Sequence, residues 1–148
     1  MSASGSEKAA KSAVSILSYA PNTEKRLREK LYRKGFSEED IEFAVDYVKV
    51  KGYLNDQRQI AYSVDSLATR KLYGVRRIRE ELYKSGYSRE LIDEVDFSEY
   101  DFTQLCEQYA AKRPNDTPEK LAAALQRHGF SKNEIMTVIK KRIKDQSL

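Results

Sequence analysis

Read only for apolar and polar positions, the chain repeats itself three times. Residues 27–41 (LREKLYRKGFSEEDI), 78–92 (IREELYKSGYSRELI) and 121–135 (LAAALQRHGFSKNEI) align without a gap. Each copy has an aliphatic residue, another four later, Gly four after that, an aromatic, Ser, and Ile six past the Gly. A fixed internal period settles architecture before any single motif does. Leu27 and Leu31, Ile78 and Leu82, and Leu121 and Leu125 each stack on one helix face. The following Gly35, Gly86 and Gly129 stand where a helix ends in the left-handed conformation, with Phe36, Tyr87 and Phe130 as the apolar residue of the cap. Ser37, Ser88 and Ser131 are N-caps, and Asp40 and Glu134 are placed to complete capping boxes. Every module therefore predicts helix, tight turn, helix.

A third amphipathic stretch precedes each module. Residues 9–20 carry Ala13, Val14, Ile16, Leu17 and Ala20, and stop at Pro21. Residues 55–72 start from an Asn55 cap and carry Ile60, Ala61, Val64, Leu67, Ala68 and Leu72. Residues 99–112 carry Phe102, Leu105, Cys106 and Tyr109, after which Thr117 and Pro118 open the next helix. Helices are likewise expected over 38–50 and 88–97. No run alternates as a strand does. The predicted fold is all-α, about nine helices in an elongated array of three tandem three-helix repeats: a disordered lead over 1–12, then 13–54, 55–97 and 98–148. A three-helix unit of this size buries too little surface to be robust alone, so neighbours are expected to share contacts.

Composition narrows the class. The chain has 148 residues, 34% of them charged, with 6 Gly and 3 Pro, as in a soluble helical protein. No stretch approaches the roughly 20 apolar residues of a spanning helix, and no apolar leader opens the chain. Its single cysteine, Cys106, forms no disulfide within the chain, which fits a reducing cytoplasm. The catalytic inventory is thin. His128, the sole histidine, immediately precedes Gly129 and reads as a surface residue facing helix carbonyls. Cys106 reads as a buried thiol. Metal-ligand spacing is absent, and so are the glycine-rich loops that hold phosphates or dinucleotides. No enzyme activity, metal or cofactor is expected.

Charge changes the picture more. The net charge is only +4, but the signs are segregated. Arg26, Arg28, Lys30 and Arg33 lie in one basic run, Arg70, Lys71, Arg76, Arg77 and Arg79 in a second, and Lys140, Lys141, Arg142 and Lys144 in a third. Residues 38–46 and 90–101 are acidic and contain no base. Helical pairs such as Glu24 with Arg28 and Glu29 with Arg33 account for single charges. Whole helices of one sign suggest a polyanion or a charged protein surface as partner. The module spacing also fits a helix-turn-helix DNA reader, whose second helix would enter the major groove. In copies one and two that helix is acidic and would oppose the phosphate term that dominates DNA affinity. Only the third copy stays electrostatically open to that reading.

These residues resemble the RecX family of bacterial regulatory proteins. Gly52-Tyr53-Leu54-Asn55-Asp56, with Arg58 and Ala61, is similar to one hallmark, although Ile60 stands where an aromatic is usual. Gly74 through Ile78, Glu81, Leu82 and Gly86 are similar to a second, with Val75 in place of a common Pro and Tyr87 in place of an aliphatic residue. Arg127 to Phe130 resembles the family's closing motif. The likeness runs from about Ala13 to Arg142. It implies tandem three-helix repeats that bind the RecA recombinase filament on single-stranded DNA and inhibit its recombinase, ATPase and coprotease activities in DNA repair and the SOS response. The thirteen basic residues named above are the expected contacts, with weak, sequence-indifferent single-strand binding, no membrane partner and a monomeric state. A sequence-specific helix-turn-helix regulator and a helical-repeat adaptor remain as alternatives.

Overall fold

The computed structural model describes residues 4–146, which hold nine α-helices and no strand. They are α1 (Gly5–Tyr19), α2 (Glu24–Arg33), α3 (Glu38–Val50), α4 (Asp56–Asp65), α5 (Val75–Ser85), α6 (Arg89–Asp93), α7 (Phe102–Ala111), α8 (Pro118–Arg127) and α9 (Lys132–Gln146). The described residues form two compact units, 4–60 with 83–91, and 61–82 with 92–146. The expected middle repeat, 55–97, is divided between them rather than standing as a third.

In the first unit α1, α2 and α3 pack on one another. Ala9, Ala10 and Ala13 of α1 join Leu27 and Leu31 of α2, and Ile41, Ala44, Val45 and Val48 of α3, in one buried apolar cluster. Burying a leucine as completely as Leu27 or Leu31 contributes roughly 2 kcal/mol. The expected disordered lead, 1–12, is instead helical from Gly5 onward, and residues 1–3 lie outside the described residues. Ser4 caps α1 by accepting from the Glu7 N–H at 3.1 Å. Ser6 Oγ donates to Asp40 Oδ1 at 2.9 Å. The stretch looks polar because its apolar content is alanine, but where two helices approach closely alanine is enough. Asp40, expected in a capping box, is thereby engaged by Ser6.

In the second unit α7, α8 and α9 pack on one another, burying Phe102, Leu105, Cys106, Leu121, Ala124, Leu125 and Val138. The turns behave as the module predicts. Gly35, Gly86 and Gly129 take φ of 92°, 100° and 100°. Phe36 N–H reaches back to Leu31 O at 3.4 Å and Phe130 N–H to Leu125 O at 3.2 Å. Ser37, Ser88 and Ser131 accept from the N–H three residues on, and Glu134 closes its box on Ser131 N–H at 2.8 Å.

Two expected helices change shape. After α4 the hydrogen bonding widens by one residue over Ser66–Arg70, with Lys71 N–H donating to Ser66 O at 3.1 Å. Buried Ile60, Val64, Ala68 and Leu72 are spaced by four, while Ala61 is exposed. Four residues overshoot an α-helical turn of 3.6 by about 40°, so a wider turn returns the later members to the buried side. The segment closes with Leu72 in the left-handed region at φ 57°. The helix expected over 88–97 stops at Asp93. Asp93, Glu94 and Asp96 bring carboxylates to its C-terminal end, against the helix dipole. Asp96 instead caps a short turn, accepting from Ser98 N–H at 2.9 Å, and Asp101 caps α7.

Each unit also contains one joint between the start of one helix and the end of another. In the first, Thr23 Oγ1 donates to Ser85 O at 2.7 Å, and the Arg26 guanidinium donates to Lys84 O. In the second, Gly74 N–H donates to His128 O at 2.9 Å and Arg76 N–H to Gly129 O at 3.3 Å. A Cβ on Gly74 would collide with the Gly129 backbone, and one on Gly129 with Arg77.

Candidate partner-binding surface

The basic residues divide by what already holds them. Arg28 donates to Glu24 at 3.1 Å and to Glu42 at 2.5 Å, and that hydrogen bond holds the Glu42 carboxyl below the usual range. Arg26 and Arg33 flank Glu29 at 3.7 and 3.9 Å. Arg76 pairs with Glu80 at 2.7 Å, Arg77 with Glu81 at 3.0 Å and Arg79 with Asp93 at 2.5 Å. Lys141 lies 3.5 Å from Glu107. Arg142 is engaged differently, donating to Arg113 O at 2.8 Å and Ala110 O at 2.7 Å, so it closes the end of α7. Lys30, Arg70, Lys71, Lys140 and Lys144 have no ion pair to an acid among the described residues, and all but the half-buried Lys30 are exposed. The segregation legible in the sequence is thus partly cancelled, because bases of α2 and α5 face acids of the helix beyond the turn.

Arg70 and Lys71 therefore stay open to a partner, and so does α9, where Lys140 and Lys144, beside the Glu107-paired Lys141, form an exposed cluster on a helix whose Val138 is buried. Such a cluster can hold phosphates as point charges, without the rigid fork of arginine. The basic runs lie on α2 of the first unit and, in the second, on residues 70–79 and on α9.

The remaining chemistry-bearing residues have structural partners. Cys106 is fully buried, and burial pushes its thiol up to about 12, the opposite of an activated nucleophile. His128 differs from its expected surface role. Its ring stacks on Tyr109 at 3.7 Å, meets the edge of Tyr73 at 4.8 Å, and donates through Nε2 to Lys71 O at 3.0 Å. Burial lowers its pKa. No group of three or more His, Cys, Asp or Glu among the described residues is placed to hold a metal ion. No helix among them is long and apolar enough to cross a membrane. The Gly52–Ala61 hallmark is structural too. Asp56 accepts from the Glu24 N–H at 3.0 Å, serving the start of α2, and burial raises its pKa. Asn55 caps α4 through the Arg58 N–H, and the Arg58 guanidinium donates to Gly52 O.

Sequence reasoning missed one surface feature. Phe43, Tyr47 and Val50 project from α3 into solvent, 47%, 40% and 86% exposed. Their spacing of four and three was the available signal, but Ile41, Ala44, Val45 and Val48 supply a second apolar face to the same helix, and periodicity alone does not say which is buried.

Comparison with known proteins places this arrangement. Residues 9–47 match the first three-helix domain of RecX. A regulatory protein RecX of Haemophilus influenzae (strain PittGG) is 36% identical over 136 residues, covering 85% of this chain and 89% of the relative. One from Caldanaerobacter subterraneus subsp. tengcongensis is 38% identical over 120 residues, covering 78% and 60%. The crystal structure of RecX from Lactobacillus salivarius superposes with a TM-score of 0.77 at 22% identity, over 93% of this chain and 96% of that one, which is a likeness of fold. An all-helical chain with its hallmark residues at the helix starts and turns, matched along nearly its whole length by such relatives, belongs to the RecX family of regulatory proteins.

Proposed function

We propose that this protein is a cytoplasmic, non-catalytic regulator that binds the RecA recombinase assembled on single-stranded DNA and lowers its recombinase, ATPase and coprotease activities. The observation that carries the reading is the near full-length match to relatives named regulatory protein RecX. The exposed lysines of α9 support a contact with phosphates, and their position on one helical surface suits sequence-indifferent single-strand binding more than base reading. The exposed bases Arg70 and Lys71 are further contacts on this reading. The bases already paired with acids, Arg28 and Arg79 among them, contribute less, because a phosphate must displace a partner carboxylate.

The test is ATP turnover by RecA on single-stranded DNA with increasing amounts of this protein. Turnover should fall at sub-stoichiometric to equimolar ratios. Unchanged turnover and unchanged filament stability across a tenfold excess would remove the reading and leave the adaptor role.

A further inference from the structure

Helix α3 has two apolar sides, and unit one uses only one of them. Ile41, Ala44, Val45 and Val48 are buried in the core. The opposite side carries Phe43, Tyr47 and Val50 at i, i+4 and i+7, with Glu39 and Asp46 exposed in the same rows. The Lys51 ammonium lies 5.7 Å from the Tyr47 ring centre, at the edge of the stripe. Single exposed hydrophobic residues are ordinary, but a stripe along a helix whose packing needs are already met marks an interaction surface.

The chemistry of the stripe selects its occupant. A nucleic acid is disfavoured, since Glu39 and Asp46 would face phosphates across the contact. A second copy meeting it through the same stripe would set carboxylate against carboxylate, with Glu39 and Asp46 on both sides. The fit is a protein surface with an apolar recess rimmed by Lys or Arg, entered by one face of a helix. We infer that the Phe43–Tyr47–Val50 stripe of α3 is the surface that seats this protein on the recombinase subunits of the filament, in a recess of that kind. This rests on the function proposed above and assigns the protein-facing part of it to α3, apart from the phosphate-facing lysines of α9.

The test measures two affinities for each variant, one for RecA filaments on single-stranded DNA and one for the naked strand. Phe43→Ser/Tyr47→Ser/Val50→Ser should lose at least tenfold in filament affinity, keep its naked-strand affinity, and retain the parent's circular dichroism. Glu39→Lys/Asp46→Lys keeps the apolar stripe and decides the matter should the serine variant fail to fold. It should weaken filament binding several-fold, more so at low salt. Parent-like filament binding by a folded serine variant, or by the charge variant, overturns the inference while the proposed function stands. An equal loss on naked DNA overturns it as well, since the stripe would then meet the strand. A parent that sediments as a dimer and a serine variant that sediments as a monomer would assign the stripe to a second copy instead. If the parent itself ignores the filament, the proposed function fails first and this assignment falls with it.

Discussion

Helices α3 and α9 occupy the same place in two copies of one module, each following a Gly–aromatic–Ser turn, and they present opposite outer faces. Their inward residues correspond, with Ile41 and Ala44 matching Ile135 and Val138. Their outward residues do not. Phe43, Asp46, Tyr47 and Val50 of α3 correspond to Thr137, Lys140, Lys141 and Lys144 of α9. Packing constrains one side of a surface helix and leaves the other to the partner, so a duplicated unit can present an acidic-aromatic face in one copy and a basic one in another. The inward side differs once: Val48 is buried in the apolar core, whereas Arg142 at its counterpart spans to the end of α7.

The sharpest way to break this comparison is through the glycines that precede the two helices. Gly35 and Gly129 share positive φ, but a side chain at 35 meets nothing within 4 Å while one at 129 meets the Arg77 backbone. Gly35→Ala should cost on the order of 1–2 kcal/mol, the strain of the left-handed region alone. Gly129→Ala should cost clearly more, because the joint to Gly74 must also open. Urea unfolding of both variants checks this, and equal losses would mean that the joint contributes nothing.

The next effect concerns Arg142 against the lysines beside it. Arg142→Ala removes the guanidinium donor from the Ala110 and Arg113 carbonyls, which keep backbone donors in the Arg113 and Asp116 N–H groups, and should cost about 1 kcal/mol. Lys140→Ala/Lys141→Ala/Lys144→Ala should leave the melting temperature near the parent's, since exposed pairs such as Lys141–Glu107 contribute about 0–1 kcal/mol. That triple variant should instead lower the salt dependence of single-strand binding by about 2 in log–log slope, at roughly 0.7 for each phosphate no longer neutralised. Fluorescence titrations at several salt concentrations measure it.

The smallest effect is a difference in acid response. His128 stands where module one has Lys34. Its folded pKa lies below the ordinary 6.5 because burial disfavours the cation. Between the folded pKa and 6.5 the unfolded chain binds more protons, so stability falls as pH drops through that window and is fully present above it. Melting temperatures at about pH 7.5 and about pH 5.5 should therefore differ more for the parent than for His128→Gln.

The comparison also shows what a sequence discloses. The turns, serine caps and inward leucines were legible because each is specified within a few residues by local backbone chemistry. The end of α6 at Asp93 was legible in principle, from carboxylates at the wrong end of a helix. The wide turn after α4 was not, since it answers to the burial of Ala68 and Leu72, which no local signal specifies. The surface was the least legible part. Arg28 and Arg79 look like free cations until α3 and the end of α6 bring Glu42 and Asp93 against them, fourteen residues away in each case.

The joint between Gly74 and Gly129 carries a consequence for how such a chain can diverge. Its two hydrogen bonds, Gly74 to His128 and Arg76 to Gly129, run backbone to backbone, with no side chain between them. A contact made of peptide groups stores almost no sequence information beyond the demand for two glycines. Neighbouring side chains add contacts of their own, His128 to Lys71 O and the Arg76 guanidinium to Gln126 O, but can change without altering these two bonds, whereas positions 74 and 129 are tied to each other. Relatives that lose one of these glycines should show a compensating change at the other, while the lysines of α9 vary around an unchanged joint.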